Sequence, residues 1–265
     1  MFTLDDILGL VGTLDDSVGA DTPRERFRRF LHESVLTTGA IRDYVEACVR
    51  NKGPQYDHAL QDLVNHAAAL IGFDVEFGRY RGASGEIGHD GLWRWNDFSI
   101  VAEAKTTDAY AIRTATLVGY VDRLISDGRV PDWDHAMGLY VVARTDALLI
   151  QLANSIVAER RTQQLRVATV ESILSLVELV QDRHITPDEA VALLRPTGVH
   201  VADTVRLLAR ISAGSPATAA LEVATTAPEV PASDPDAGLG PDVRPPRTPR
   251  ARIPSPRAAT ASHAG

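Results

Sequence analysis

Hydrophobic positions along the chain switch between a helical period and a strand period, and the switches outline an element order. From residue 21 to 49 the spacing is helical: Asp21 or Thr22 can cap a helix running through Ser34, with Pro23 at its first position, and Ile41, Tyr44, Val45 and Cys48 mark a second. Leu60, Leu63, Val64, Ala67, Leu70 and Ile71 form one face of a helix over residues 57–71, with Gly72 placed to end it. Alternation follows. Phe73, Val75 and Phe77 predict one strand, and residues 89–95 and 98–105 predict two more, with Asn96 and Asp97 as the turn between them. Beyond lie a helix (110–126), an apolar strand (138–143), a helix (146–161), a short strand (165–168) and a helix through Gln181. Thr186, Pro187, Asp188 and Glu189 open another capped helix, and residues 203–212 predict one more.

Hairpin-linked strands followed by strand–helix crossovers imply an α/β fold, a mixed central β-sheet flanked by helices in the order αβββαβαβ. Extra helices precede and follow this core. The expected organisation is an N-terminal helical segment (1–52), the core (53–182), C-terminal helices (183–213) and a tail (214–265). The tail is set apart by composition: 10 of the 15 prolines lie between Pro216 and Pro256, among Ala, Thr, Ser and Gly, which predicts disorder. Five acidic residues from Glu222 to Asp242 precede five arginines from Arg244 to Arg257, so the tail is either a solvated spacer or a docking arm for a protein partner or nucleic acid.

Charge and cysteine content narrow the function classes. The net charge of −8 argues against nucleic-acid binding by one broad basic surface, so any grip on a polyanion has to be local or metal-assisted. Cys48 stands alone and no Cys/His set has zinc-ligand spacing, which fits a reducing compartment. Residues 1–10 carry Asp5 and Asp6 where an export signal carries basic residues, and the longest apolar stretch is broken by Arg144, Asp146, Gln151 and Asn154. The expectation is a cytoplasmic protein with no membrane span.

The segment from Gly88 to Lys105 carries the chemistry. If Asn96 and Asp97 form a two-residue turn, Trp95 faces Phe98 and counting back sets Asp90 opposite Glu103. Alternation then puts Asp90, Leu92, Arg94, Ser99, Val101, Glu103 and Lys105 on one face, and Trp93, Trp95, Phe98, Ile100, Ala102 and Ala104 on the other, so one face is apolar and the other charged. Directly opposed side chains have Cβ atoms about 4.5–5.5 Å apart, a separation at which two carboxylates repel. Lys105 can neutralise one of them. A divalent cation held by both oxygens, with water completing its shell, removes the repulsion and leaves Lys105 to orient or deprotonate a water. Such a set hydrolyses phosphodiesters. The competing reading is an ordinary ion triad on a solvated sheet face.

A helix, a strand, Asp90-Gly91, then a strand ending Ile-Val-Ala-Glu103-Ala-Lys105 and a further helix and strand resembles the PD-(D/E)xK nuclease superfamily, the restriction-endonuclease-like fold. The resemblance spans residues 56–170. It implies a magnesium-dependent nuclease, with manganese as a substitute, in which Asp90 and Glu103 bind metal, the Ala104 backbone carbonyl adds a ligand and Lys105 positions the water. Position 89 is histidine where the family name has proline. Many members carry a glutamate on the helix before the first strand, and here Gln61 aligns with it, with Asp62 beside it. Gln61 can bond a metal-bound water through its amide, and Asp62 can serve if the helix is rotated.

The glycine-rich stretch from Gly78 to Gly88 lacks a Gly-Lys-Ser/Thr ending, which excludes a P-loop, and Ser84 lacks nucleophile-elbow spacing. Arg79, Tyr80 and Arg81 in this stretch can meet a phosphate or stack on a base, or belong to a plain connection. Arg113 can reach a phosphate from the helix after the motif. Arg24, Arg26, Arg28 and Arg29 form the densest basic cluster, read as a solvated helix face or a phosphate contact. Trp93 and Trp95 read as core. The leading function is a metal-dependent endonuclease acting on DNA, in restriction, phage defence or repair. The alternative is a catalytically inactive nuclease-fold module that binds nucleic acid or a protein. Cutting two strands needs two sites, which points to a homodimer.

Overall fold

The computed structural model describes residues 2–81, 88–105, 113–143 and 147–196, the side chains of 147 and 148 excepted. The expected helix at 203–212, the tail at 214–265 and most of the stretch between Gly78 and Gly88 lie outside the described residues. The elements are α1 (Leu4–Val11), α2 (Pro23–Ser34), α3 (Thr38–Arg50), α4 (Pro54–Ile71), β1 (Asp74–Phe77), β2 (Gly91–Trp95), β3 (Phe98–Lys105), α5 (Thr114–Ser126), β4 (Ala136–Val142), α6 (Ala147–Ala158), β5 (Leu165–Thr169), α7 (Val170–Gln181) and α8 (Pro187–Leu194). They form a five-stranded mixed sheet in the order β1-β2-β3-β4-β5, flanked by helices. β1 to β3 run antiparallel as a meander, and β3, β4 and β5 run parallel.

Local chemistry sets the boundaries. The Thr22 hydroxyl accepts the Glu25 N–H at the start of α2, with Pro23 in the first turn where no amide is needed. Gly72 ends α4 in the left-handed region at φ 118°. α1 lies inside the expected N-terminal helical segment, ahead of the first helix that spacing marks at residue 21. Its signal is a reciprocal cap, in which the Thr3 hydroxyl accepts the Asp6 N–H and the Asp6 carboxylate accepts the Thr3 N–H. α4 begins at Pro54, three residues before the expected start, because Pro54 occupies the first turn behind Gly53.

Both faces of the sheet are buried. On one, Trp93, Phe98, Ile100, Met137, Leu139 and Val141 pack with α4 and α7, in a core that also takes in α1, α2 and α3. On the other, Leu92, Val101, Tyr140 and Leu165 pack with Leu117, Val121 and Leu124 of α5 and Leu152 and Ile156 of α6. The expectation of one apolar and one charged hairpin face is therefore corrected. Alternation is as read, but crossover helices cover the second face as well, because parallel strands must be linked through layers above and below the sheet. Charge on that face lies outside the apolar patch: Asp90, Glu103 and Lys105 at one end, and Arg94 paired with Glu76 away from them. Gly138 shows how close the layers sit: a Cβ there would lie 2.7 Å from Leu117 and from Leu165. Among the described residues no helix is long and apolar enough to cross a membrane.

Candidate functional site

The hairpin has the register that the two-residue turn dictates. Trp95 pairs with Phe98 and Gly91 with Ala102, and Asn96 takes the left-handed conformation such a turn requires, at φ 53°. One step further the regular ladder slips: the Asp90 N–H donates to the Ala102 carbonyl at 3.1 Å, so Asp90 and Gly91 both oppose Ala102 as in a β-bulge, not Asp90 opposite Glu103 as counting from the turn predicts. The Asp90 carboxylate still lies near enough to feel the Glu103 charge. Lys105 follows on the same face, its Nζ donating to Glu103 Oε1 at 2.6 Å. Asp90 Oδ2 accepts the N–H of Ala104 at 2.7 Å, a backbone group left unpaired because β2 has ended while β3 continues. Alternate residues of β3 turn to opposite neighbours: the Ala102 carbonyl meets Asp90, and the Lys105 carbonyl accepts from Ala143. The Ala104 carbonyl thus faces the same side as the Asp90 carboxylate.

These groups sit in poor contact with water, and their proton affinities follow. Burial and the neighbouring Glu103 push the Asp90 carboxyl well above the usual carboxylate range, against the pull of Lys105. Burial raises Glu103 too, while Lys105 pulls it back. Burial acts to strip the Lys105 proton, but Glu103 and Asp90 outweigh it and hold the ammonium above an ordinary lysine. Glu103 is 8% exposed, and its Oε2 is buried with no hydrogen-bond partner among the described residues. An orphaned carboxylate oxygen facing a second carboxylate is a costly arrangement for a protein to keep on its own. Among the described residues no three His, Cys, Asp or Glu side chains come together as a ready-made metal cage. Two carboxylates and a backbone carbonyl remain, an all-oxygen set of the kind that magnesium accepts together with water.

α4 fixes Asp90 from behind. The Asp90 carbonyl accepts from the Gly78 N–H at 2.8 Å, from Gln61 Nε2 at 3.1 Å and from Asn65 Nδ2 at 2.9 Å. Asn65 Oδ1 in turn accepts the indole N–H of the fully buried Trp93 at 2.7 Å. Gly91 makes room for this, since a Cβ there would fall 1.9 Å from Asn65 Oδ1. Asn65 escaped the sequence reading; its signal is the i, i+4 spacing from Gln61, which sets both amides on one helix face. Replacing Asn65 by leucine strands the Trp93 N–H and takes one donor from the Asp90 carbonyl at a cost of about 2–3 kcal/mol, expected as a lower urea midpoint at unchanged slope.

The other expected residues are placed as follows. Gln61 Nε2 is committed to the carbonyls of Asp90 and Arg79 rather than turned to the carboxylates. Asp62 is wholly buried, its oxygens held by Arg28 at 3.0–3.2 Å and by the Tyr80 hydroxyl at 2.5 Å. The Tyr80 ring stacks on His58 with centroids 4.2 Å apart, so it belongs to the interior and is not a platform for a base. The four arginines of α2 divide: Arg24 and Arg28 are largely buried in ion pairs, while Arg26 and Arg29 keep solvated side chains, as a helix face would. Arg24 pairs with Asp16 and Glu25, Arg26 bonds the Val11 and Asp21 carbonyls, Arg28 holds Asp62, and Arg29 bonds the Ala20 carbonyl. Each charge found an internal partner, which sequence spacing alone does not reveal.

Arg79 and Arg81 follow β1, and Arg113 precedes α5, where its carbonyl accepts the hydroxyl of Tyr140, the residue paired with Glu103 across β3 and β4. All three are exposed. Asp90, Glu103, Lys105 and these arginines thus share the edge of the sheet at the carboxyl ends of β1, β3 and β4, where open α/β sheets place their ligands. His89, beside Asp90, is buried with Nδ1 unpartnered among the described residues, and burial pulls its pKa down to about 4.

No protein-family model matches the chain, and no curated protein matches it. Among solved structures, the chain is similar to the small subunit of the heterodimeric restriction endonuclease R.BspD6I, with 18% sequence identity and a TM-score of 0.42, over 67% of this chain and 99% of that one.

Proposed function

We propose that this chain is a metal-dependent endonuclease that hydrolyses DNA phosphodiester bonds, serving restriction, phage defence or repair. The observation that carries the reading is the buried Oε2 of Glu103, without a hydrogen-bond partner among the described residues, near the Asp90 carboxylate, with an ammonium on the other oxygen. Asp90, Glu103 and the Ala104 carbonyl would hold Mg2+, or Mn2+ in its place. When bound, the cation supplies charge to offset that building on the phosphate and lowers the pKa of an attacking water. Lys105 contributes a fixed positive charge on the strand next to the carboxylates, and its Nζ, once Glu103 is otherwise engaged, donates to the nucleophile or the phosphate. The Asp90 carboxylate is kept in line by its own bond to the Ala104 amide and by the three donors on its carbonyl. Arg79, Arg81 and Arg113 stand beside this edge as local phosphate contacts, which an acidic chain needs in place of a broad basic surface.

The test is incubation of the full chain with supercoiled and linear DNA, with Mg2+ and with a chelator. Cleavage is expected in Mg2+ alone, and Lys105→Ala is expected to slow it by about 10²–10³. Cleavage that persists equally in Lys105→Ala and in chelator places the activity elsewhere. Binding without cleavage under every metal condition selects the inactive binding module instead.

A further inference from the structure

Besides Arg28, which bonds Asp62 and the Gly78 carbonyl, the N-terminal helices meet the neighbourhood of the candidate site through Asp16, in the connection between α1 and α2. Its Oδ1 accepts the Tyr80 N–H at 3.0 Å and Arg24 Nη1 at 3.0 Å. Its Oδ2 accepts the Arg81 N–H at 2.9 Å and lies 4.0 Å from Arg79 Nε. One carboxylate thus grips two consecutive amides of the segment that carries Arg79 and Arg81. The grip is rigidly mounted: Gln55 of α4 bonds both the N–H and the carbonyl of Leu14, and His58 Nδ1 meets the Leu14 carbonyl at 3.0 Å. From the opposite side, Gln61 Nε2 ties the Arg79 carbonyl to the same amide that holds Asp90. A cavity of about 460 Å³ is lined by residues 13–17 together with Arg79, Tyr80 and Arg81. Asp16 thus joins the two segments at the wall of a shared cavity.

We infer that Asp16 is a positioning residue for nucleic-acid binding: by holding the amides of Tyr80 and Arg81, it aims the side chains of Arg79 and Arg81 at phosphates flanking the one attacked beside Asp90 and Glu103. The inference rests on the nuclease reading and adds how the N-terminal helices serve it. Its sign sets it apart from plain electrostatics. Removing Asp16 deletes a negative charge beside two arginines, and by Coulomb attraction alone this tightens the hold on a polyanion. Loss of aim loosens it.

The experiment is steady-state cleavage of a labelled duplex in Mg2+ by the full chain, at salt between about 50 and 200 mM, for wild type, Asp16→Ala, Asp16→Asn and Arg79→Ala/Arg81→Ala with and without Asp16→Ala. For Asp16→Ala the expected result is a KM about tenfold higher, a salt dependence weaker by about one to two phosphate contacts, and kcat within about twofold of wild type. Asp16→Asn keeps an acceptor oxygen and the side-chain volume, recovers part of the KM, and serves in place of the alanine variant if that one does not fold. On the double-arginine background Asp16→Ala adds nothing, because the residue acts through those side chains. Amide exchange gives a readout without cleavage: the Tyr80 and Arg81 N–H groups are slow in wild type and fast in Asp16→Ala, with α4 unchanged. Unprotected amides in wild type, a KM unchanged or lowered in Asp16→Ala, a fall in kcat alone, or additive effects each overturn the inference while leaving the nuclease intact. A wild-type protein that cleaves no DNA overturns both.

Discussion

Replacement of Arg28 by methionine is expected to remove about 3–5 kcal/mol of folding stability, read as a drop in the urea midpoint at unchanged slope. Arg28 presents three donor contacts of 3.0–3.2 Å to Asp62, a fourth of 3.2 Å to the Gly78 carbonyl, and a guanidinium 4.6 Å above the Phe77 ring. Asp62 is fully enclosed, and burial pushes its carboxyl up while Arg28 and the Tyr80 hydroxyl pull it down. Without the guanidinium, an ionised carboxylate is left in the interior with a single donor. The sign with pH follows. A carboxyl whose pKa rises on folding binds its proton more tightly in the folded state, so the loss is full only above the raised folded-state pKa of the variant, shrinks as pH falls through it and is smallest near the ordinary carboxylate pKa of about 4. Arg28→Met combined with Asp62→Leu recovers most of the loss, since a buried pair replaced by apolar groups is close to neutral in stability. A single variant as stable as wild type at pH 7 refutes this account.

Asp90→Asn is expected to separate stability from chemistry. Asparagine keeps an oxygen for the Ala104 amide and removes one of two facing charges, so the metal-free protein gains about 1–2 kcal/mol at neutral pH. On the proposed function, the same change is expected to cost at least about a hundredfold in cleavage and to abolish any stabilisation by Mg2+ expected of the wild type. Because the Asp90 carboxyl is raised in the folded state, its ionisation weakens the fold as pH rises. The gain in the variant is therefore absent below the ordinary carboxylate pKa of about 4 and grows above it. Thermal melts with chelator and with Mg2+ at two pH values check both halves, and a variant that melts below wild type in chelator contradicts the picture of two repelling carboxylates.

Much of this arrangement was legible in the chain, and the limits of legibility are physical. Periodicity found every strand and most helices, because apolar spacing reports which side of an element is buried. The turn at Asn96 and Asp97 predicted the ladder from Trp95 with Phe98 to Gly91 with Ala102, since a two-residue turn fixes register, but not the slip at Asp90, whose N–H meets Ala102. The second apolar layer over Leu92 and Val101 was not legible, because alternation gives the face of a side chain and not what covers it. The α2 arginines were not legible for a related reason: their partners Asp16 and Asp62 are 8 and 34 residues away, and no local spacing encodes such pairings. Asn65 lies between these cases. Its distance from Gln61 placed it on the right face, but only the fold shows that both amides converge on one carbonyl.

The turn at Asn96 and Asp97 stands six positions from Asp90, roughly 20 Å along an extended strand. It nevertheless sets the register that leads Asp90 to the neighbourhood of Glu103. One residue added to that loop, or one removed, would shift the hairpin by a single step, exchange inward for outward along all of β2, and turn Asp90 toward α4 while Trp93 met α5. Chain length at this remote corner is therefore under tighter constraint than residue identity anywhere on the solvent surface.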